Sequence, residues 1–273
     1  MTASSNGGPE GLAATPRSKD GRGADRSSPA ARQRLRAARV LIVGVGGLGA
    51  PAALHLAAAG VGTLGLIDGD AVDLSNLHRQ VIYQTADVGR RKVTAAAQRL
   101  AALYPEVAVE IHDERLTADN LAGLFARFDF VIDGTDQIVS KYLVNDGAVL
   151  HGAAFSHAGV VGFQGQIMTV LPGRSACLRC VFPTPPPADE IPTCQESGVM
   201  GTLAGTIGVL QAAEALKFLL GAGGLLTDRL LTHDAFADRW RTIHLSRARD
   251  CPLCGDEPSI RRLETVRGEP ERC

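Results

Sequence analysis

The segment IDGDAVDLSNLHRQ, at residues 67–80, concentrates side chains that suit a nucleotide. Asp68 and Asp70 open the segment, and Asn76 and Arg79 follow shortly after. A carboxylate accepts hydrogen bonds from ribose hydroxyls, whereas a guanidinium neutralises phosphate oxygens. Lys92 offers a second positive charge further along the chain. The residue types and their order predict a site for a ligand that carries several phosphates.

A glycine-rich loop precedes this segment. The residues GVGGLG, at 44–49, place Gly44, Gly46 and Gly49 in the GxGxxG spacing, with Gly47 as a further glycine. A β-branched run precedes the loop and an alanine-rich run follows it, so the loop is predicted to join a strand to a helix whose N-terminus faces phosphate. Asp68 stands about 20 residues beyond the loop, where a carboxylate reaches a ribose. These features alone fit NAD as well as ATP.

A third feature separates the two cofactors. The residues DGTDQ, at 133–137, follow an apolar strand, and Asp136 is therefore expected at the carboxyl edge of the sheet, where open α/β folds bind ligands. A carboxylate beside phosphates can bind Mg²⁺. A dehydrogenase does not need the charges of Arg79, Lys92 and Asp136, whereas a triphosphate needs them for compensation. The set favours ATP with Mg²⁺.

Four of the six cysteines form two CxxC pairs. Such pairs can supply four thiolates to a tetrahedral Zn²⁺ ion, and a closed site of this kind has no open position for catalysis. The separation of the pairs exceeds that of a compact zinc ribbon, so the fold has to bring them together. Redox pairs or free thiols are the alternatives. The predicted metal ligands are Cys177, Cys180, Cys251 and Cys254.

The elements that position these residues alternate between strand and helix. Strand-like runs are VLIVG, LGLID, VAVEIHDERL and FDFVIDGTD, and helical patterns lie between them, as in RKVTAAAQRLAALYP. This alternation predicts an α/β fold with a Rossmann-like, doubly wound, mainly parallel sheet that continues into antiparallel strands. A short basic helix is expected at residues 31–39. The predicted organisation is a disordered tail at 1–30, one domain at 31–260 and a C-terminal tail at 261–273.

Composition excludes several classes of protein. The formal net charge is −1 and aromatic residues make up 4% of the chain, so neither nucleic acid nor an anionic surface is an expected partner. Residues 40–67 contain no Asp, Glu, Lys or Arg, and the run is long enough for a membrane span, but its glycines and Pro51 argue against one. An apolar secretory signal is absent from the N-terminal sequence, and the cysteine pairs suit a reducing compartment. We therefore expect a cytoplasmic protein.

The motifs GVGGLG, IDGDAVDLSNLHRQ, DVGRRK, DGTDQ, CLRCVFPTPPP, TCQESGVMG and DCPLCG occur in this order. Together they closely resemble the MoeB/ThiF/HesA branch of the ubiquitin-activating-enzyme superfamily, over roughly residues 30–258. The resemblance implies ATP-dependent adenylation of the C-terminal glycine of a ubiquitin-like sulfur carrier such as MoaD or ThiS. It also implies nucleotide contacts by Gly47, Asp68, Asp70, Ser75, Asn76, Leu77, His78, Arg79, Lys92, Asp136 and Gln137.

The resemblance implies further partners. These are a sulfur-carrier protein with a C-terminal Gly-Gly and a second copy of the chain in a homodimer. A separate sulfur donor, either a cysteine desulfurase or a rhodanese, is also expected, because no rhodanese-like segment follows residue 273. Cys194 matches the cysteine of the TCxxxG motif, which attacks the acyl-adenylate or receives sulfur; the alternative is a free thiol on an exposed segment.

Some positions depart from the pattern of the resembled family. Relatives begin with an RYxRQ-type segment whose arginine reaches the ATP of the partner subunit. The tail of this sequence offers Arg17, Arg22 and Arg26, but no Tyr and no Arg-Gln pair before Arg32-Gln33. Gln137 and Lys141 stand where relatives usually carry Asn and Arg, and His157 is expected to be structural. Three alternatives stay open: a tRNA-modifying dehydratase of the same superfamily, an NAD-dependent oxidoreductase, and a non-catalytic scaffold that binds nucleotide or a carrier tail.

Overall fold

The computed structural model describes residues 28–186 and 198–263. Its eight-stranded sheet has the order β3-β2-β1-β4-β5-β6-β7-β8. The strands are β1 Arg39–Val43, β2 Thr63–Ile67, β3 Ala108–His112, β4 Phe130–Asp133, β5 Phe155–Val161, β6 Gln164–Val170, β7 Arg229–Asp234 and β8 Arg239–His244. The helices are α1 Pro29–Ala37, α2 Gly49–Ala58, α3 Lys92–Leu103, α4 Ala118–Phe125, α5 Ile138–His151, α6 Leu178–Val181 and α7 Gly201–Leu220.

The sheet has a parallel half and an antiparallel half. Strands β1 to β5 pair in parallel, whereas β5 to β8 form an antiparallel meander. The predicted doubly wound sheet that continues into antiparallel strands is therefore confirmed. The chain leaves β1 toward β2 on one side and later adds β4 on the other. Such a switch point opens a crevice at the carboxyl ends of the strands, where α/β folds bind ligands.

Helices cover both faces of the parallel half. Strand β1 alternates between them, with Val40 and Ile42 in the apolar cluster that includes α2, α3 and α7. Leu41 and Val43 belong to the opposite cluster, which includes α4 and α5. A strand buried on both faces requires the continuous apolar run that the sequence has here.

The N-terminal helix is shorter than the sequence predicts. Helix α1 ends at Ala37, and Ala38 is extended with φ −77° and ψ 151°. Arg39, predicted as helical, instead begins β1 opposite Thr63, and its amide donates to Asp129 at 2.8 Å. Pairing with the sheet therefore outweighs the local helical preference of this basic run.

Helix α7 is the longest helix in the described part of the chain. Its length and composition would allow it to span a membrane, but it packs as a core helix and more than half of it is buried. Gly208 brings it very close to the loop before α2, since a Cβ at this position would lie 2.3 Å from the carbonyl oxygen of Leu48. Helix α7 thus supports the glycine loop directly.

This close approach gives a test of the packing. Gly208→Ala is expected to lower the free energy of unfolding by about 1–3 kcal/mol, because the added methyl group overpacks the contact with Leu48. Gly205→Ala is the matched control in the same helix, because no heavy atom lies within 4 Å of its Cβ position. The control is expected to raise stability by about 0.5–1 kcal/mol. Chemical denaturation measures both, and equal effects would contradict the close approach.

Candidate functional site

Three backbone segments interlock at the carboxyl ends of β1 and β4. A Cβ on Gly49 would lie 1.9 Å from the carbonyl oxygen of Gly44, and a Cβ on Gly134 would lie 2.6 Å from the same oxygen. Gly44 itself has φ +83°, a conformation that favours glycine. The glycine loop, the first turn of α2 and the exit of β4 therefore meet with room only for hydrogen atoms.

Side chains from the next strand and loop hold the glycine loop in place. The Asp68 carboxylate accepts hydrogen bonds from the amides of Val45 at 2.8 Å and Asp70 at 2.9 Å. The Tyr83 hydroxyl donates to the carbonyl of Val45 at 2.8 Å. Burial raises the pKa of Asp68, although Lys92 and these amides partly oppose it, and burial also raises the pKa of Tyr83. The predicted ribose-binding acid therefore contacts the glycine loop directly.

Lys92 begins α3 and reaches the same edge. Its side chain is 9% exposed, and Nζ lies 3.2 Å from the Asp70 carboxylate and 4.0 Å from that of Asp68. The Asp70 carboxylate also accepts from the Arg115 guanidinium at 2.8 Å. A buried ammonium held between carboxylates is well placed to exchange one of them for a phosphate oxygen.

Arg79 lies beside the glycine loop. A Cβ on Gly47 would be 3.6 Å from the Cγ of Arg79. The guanidinium donates at 3.3 Å to the carbonyl of Ser75 and to the side-chain oxygen of Asn76. Asn76 also accepts from Gln80 at 2.6 Å, so the turn that carries Arg79 is internally braced.

The remaining predicted nucleotide-contact residues surround this turn. His78 Nδ1 lies 2.9 Å from the carbonyl of Ser75, and Leu77 packs against the core cluster of α2, α3 and α7. The backbone of His78 also abuts α7, because a Cβ on Gly201 would lie 2.5 Å from its carbonyl oxygen. A Cβ on Gly46 would be 3.6 Å from Gln80.

Asp136 and Gln137 follow β4 at the same edge. Asp136 is exposed, and Gln137 is the N-cap residue of α5. A buried group lies beneath them, in which His157 Nδ1 is 2.9 Å and Lys141 Nζ is 3.5 Å from the carboxylate of Asp133. Burial alone would raise the pKa of Asp133, but Lys141 and His157 outweigh it and hold the pKa below its usual value. Burial lowers the pKa of His157, although the Asp133 carboxylate opposes this shift. Its buried position is consistent with the structural role expected from the sequence.

The four cysteines of the two CxxC pairs converge in the folded domain. Their sulfur atoms all lie within 4.8 Å of one another, and five of the six pair distances run from 3.4 to 3.9 Å. Four sulfurs at about 2.3 Å from one tetrahedral ion would lie about 3.8 Å apart, whereas a disulfide needs about 2.05 Å. The donor set therefore fits a metal ion such as zinc. Hydrogen bonds among the thiols raise the pKa of Cys177 and lower that of Cys180.

The cysteine cluster joins distant parts of the chain. Cys177 is the N-cap residue of α6 and Cys180 lies within this helix, while Cys251 and Cys254 come after β8. The amide of Ala248 donates to the sulfur of Cys180 at 3.4 Å. A metal here would tie the chain beyond the antiparallel strands back to α6.

Some expectations fall outside the described residues. Cys194 lies in the undescribed segment 187–197, and Arg17, Arg22 and Arg26 precede residue 28, whereas Arg32 lies in α1. Other contributors were missed by sequence reasoning, namely Tyr83, Gln80, Arg115 and Gly134. Gly134 left a signal as a glycine directly after an apolar strand, and Gln80 stands four residues after its partner Asn76. The contacts of Tyr83 and Arg115 depend on how loops far apart in sequence meet.

The sheet order, the switch point and the glycine loop define a doubly wound fold of the Rossmann-like class. Within that class, the ThiF family model matches residues 22–253, and the chain belongs to the ThiF family. This result confirms the family resemblance, and with it the prediction of an adenylyltransferase-type enzyme at the level of the family.

Two proteins named as adenylyltransferases are similar in sequence to this chain. The chain is 45% identical over 240 residues to a sulfur carrier protein adenylyltransferase of Thermus thermophilus, covering 86% of this chain and 89% of that protein. It is 44% identical over 236 residues to the adenylyltransferase and sulfurtransferase MOCS3 of Sus scrofa, covering 86% of this chain. That match spans 52% of the MOCS3 protein, about half its length.

A solved structure supports the fold. A crystal structure of Escherichia coli MccB with ATP superposes with a TM-score of 0.71 at 22% identity, covering 82% of this chain and 68% of that one. At this identity the likeness concerns the fold alone.

The cysteine geometry gives a prediction for the metal. Protein purified without chelator is expected to contain about one zinc per chain. Cys251→Ser is expected to lose the zinc and to lower the free energy of unfolding by about 3 kcal/mol or more, because binding of a structural metal contributes directly to folding. Elemental analysis and denaturation measure the two effects. Cys273→Ser is the control, and wild-type protein without zinc would contradict the assignment.

Proposed function

We propose that this chain uses ATP to adenylate the C-terminal glycine carboxylate of a ubiquitin-like sulfur-carrier protein and releases pyrophosphate. The observation that carries the proposal is the convergence of Arg79, Lys92 and Asp68 on one glycine loop. The name and the 45% identity of the Thermus relative support the same activity.

Each residue at the edge has a proposed part in binding ATP. Asp68 accepts hydrogen bonds from the ribose, and the loop of Gly44, Gly46, Gly47 and Gly49 approaches the phosphates with its backbone. Lys92 and Arg79 neutralise phosphate oxygens. These two cations contact Asp70 and Asn76, so ATP would replace contacts that already exist.

The remaining predicted contacts complete the proposed nucleotide site. Asp70 gives up its contact with Lys92 and keeps the one with Arg115. The backbone and side chains of the turn before Arg79 face the nucleotide, together with the exit of β4. These residues are Ser75, Asn76, Leu77, His78 and Gln137.

The chemistry requires positioning more than proton transfer. The nucleophile is the carrier's C-terminal carboxylate, which is already ionised near neutral pH, so no general base is needed. One carboxylate oxygen forms a bond to the α-phosphorus, and the bond from that phosphorus to the bridging oxygen of the β-phosphate breaks. The electron pair leaves with pyrophosphate, and an acyl-adenylate remains. Because two anions must meet, charge neutralisation by Arg79 and Lys92 is the main contribution of the protein.

A divalent cation fits beside these residues. Asp136 is an exposed carboxylate that directly follows Gly134 and Thr135, whose backbone meets Gly44, and hard oxygen ligands of this kind suit Mg²⁺. The cation would neutralise charge on the phosphates. We assign Asp136 as the protein ligand for this ion, because Asp133 is already occupied by Lys141 and His157.

The wider organisation is part of the same proposal. The adenylating domain spans residues 31–260 between two tails, acts in the cytoplasm as a homodimer and receives sulfur from a separate donor. The donor is a cysteine desulfurase or a rhodanese. Cys194 is proposed to act after adenylation, when the activated acyl group is transferred.

ATP–pyrophosphate exchange tests the adenylation step. Exchange is expected only when a carrier with a free C-terminal Gly-Gly is present, because its carboxylate is the nucleophile. Asp136→Ala is expected to lower the exchange rate by about 10²-fold or more, since a phosphate-bound cation loses its protein ligand. Glu106→Ala is the control, because Glu106 is an exposed acid in the loop before β3, at the opposite, amino ends of the parallel strands. Exchange that ignores the carrier would contradict the proposal, and full activity of Asp136→Ala would remove Asp136 from the mechanism.

Cys194 separates adenylation from the later transfer. Cys194→Ala is expected to retain pyrophosphate exchange, because formation of the adenylate needs no enzyme thiol. It is expected to lose any covalent adduct between enzyme and carrier that is trapped without reductant. Such an adduct forms when a thiolate, a strong nucleophile near neutral pH, attacks the acyl-adenylate and displaces AMP. Non-reducing electrophoresis measures the adduct. Cys273→Ser is the matched control, and an adduct that survives in Cys194→Ala would point to another thiol.

A further inference from the structure

Three titratable side chains are buried together directly beneath the exit of β4. Asp133, His157 and Lys141 are 0%, 2% and 5% exposed, and they come from β4, β5 and α5. Burial of charged groups is unfavourable unless they are paired and fully hydrogen-bonded. The arrangement is therefore expected to serve a purpose that an apolar core would not.

The contacts of Lys141 show what the arrangement fixes. Its Nζ donates to the carbonyl of Thr135 at 2.6 Å and to the carbonyl of Ala158 at 2.5 Å, and the Asp133 carboxylate lies 3.5 Å away. Both hydrogen bonds thus go to backbone atoms, one of them in the residue directly before Asp136. The ammonium therefore links α5 to the exit of β4 and to the middle of β5.

Asp133 holds the same residue from its other side. Its Oδ1 accepts from the amide of Thr135 at 3.2 Å and from the Thr135 hydroxyl at 2.6 Å. Every polar group of Thr135, namely its amide, hydroxyl and carbonyl, is therefore bound by Asp133 or Lys141. Gly134, one residue earlier, is pressed against the carbonyl of Gly44.

Asp136 follows this immobilised pair of residues. Its Cα is therefore held at a fixed position relative to the glycine loop, although its own side chain is exposed. A ligand for a cation that bridges phosphates has to be held to within a fraction of an ångström, so such support matters for binding.

We propose that Lys141 and Asp133 are positioning residues that orient Asp136 toward the divalent cation bound with the nucleotide. The inference rests on the proposed function, in which Asp136 is the protein ligand of that cation. It predicts that removal of the Lys141 ammonium lowers the affinity for ATP with Mg²⁺, because Asp136 is then held less firmly.

A double-mutant cycle with Lys141→Met and Asp136→Asn tests this route, with affinity measured by isothermal titration calorimetry. Lys141→Met is expected to weaken binding of ATP with Mg²⁺ by about tenfold, within the range of couplings in one hydrogen-bond network. It is expected to leave binding of ATP in EDTA unchanged. In the Asp136→Asn background, Lys141→Met is expected to have no further effect.

Lys217→Met is the matched control. Lys217 also pairs with a buried carboxylate, that of Glu214, but it lies in the last turn of α7 and contacts neither Thr135 nor Asp136. The control is expected to lower thermal stability without a change in affinity for ATP in either buffer. A metal-specific loss in the control as well would overturn the assignment to Lys141.

Thr135→Val serves if Lys141→Met does not fold, because it removes only the hydroxyl bond to Asp133. It is expected to give a smaller, metal-specific loss that also disappears in the Asp136→Asn background. Equal losses of ATP affinity with Mg²⁺ and with EDTA would overturn the positioning role. So would a double mutant whose loss of affinity is the product of the losses in the two single mutants. Wild-type protein that binds no ATP at all would overturn the proposed function itself.

Discussion

The carbonyl oxygen of Gly44 is the point on which the rest of the site depends. Gly49 and Gly134 approach it so closely that a methyl group on either would collide with it. This contact joins the glycine loop, the start of α2 and the exit of β4 into one rigid corner. The N-terminus of α2 and the backbone that leads into Asp136 thereby lie beside the same glycine loop. Helix α7 packs against this corner, because Gly208 lies very close to the carbonyl oxygen of Leu48 in the glycine loop.

The two cations around this corner have partners that a polyphosphate can replace. Lys92 is held by Asp70 and Asp68, and Arg79 is held by neutral oxygens of Ser75 and Asn76. Both cations are thus held in place, and the charge of Arg79 is not neutralised by a carboxylate in these contacts. Preorganised charge of this kind requires little rearrangement when a phosphate group arrives.

The sequence predicted the parts of the site that lie within short motifs. Asp68, Arg79 and Lys92 were chosen as candidates because a strand end, a turn and a helix start carry recognisable residue types, and the structure places all three near the glycine loop. The CxxC pairs likewise pointed to four sulfurs that the structure brings together. Tyr83 and Arg115 were missed, because a tyrosine hydroxyl that reaches the Val45 carbonyl leaves no local pattern. Such contacts depend on sheet register and on loop packing, which a single sequence does not specify. Arg39 shows the converse, since strand pairing outweighed a helical pattern.

The proposed activity makes a direct chemical claim, that AMP becomes attached to the carrier's C-terminal glycine. Intact-mass spectrometry of a Gly-Gly-ending carrier, incubated with this chain, ATP, Mg²⁺ and inorganic pyrophosphatase, measures that attachment. If the chain adenylates the carrier, the mass of the carrier increases by one adenylyl group, and hydroxylamine removes that group as the hydroxamate forms. A carrier that keeps its original mass while ATP is bound, or a mass increase in a carrier whose terminal carboxylate is amidated, would contradict the proposed activity.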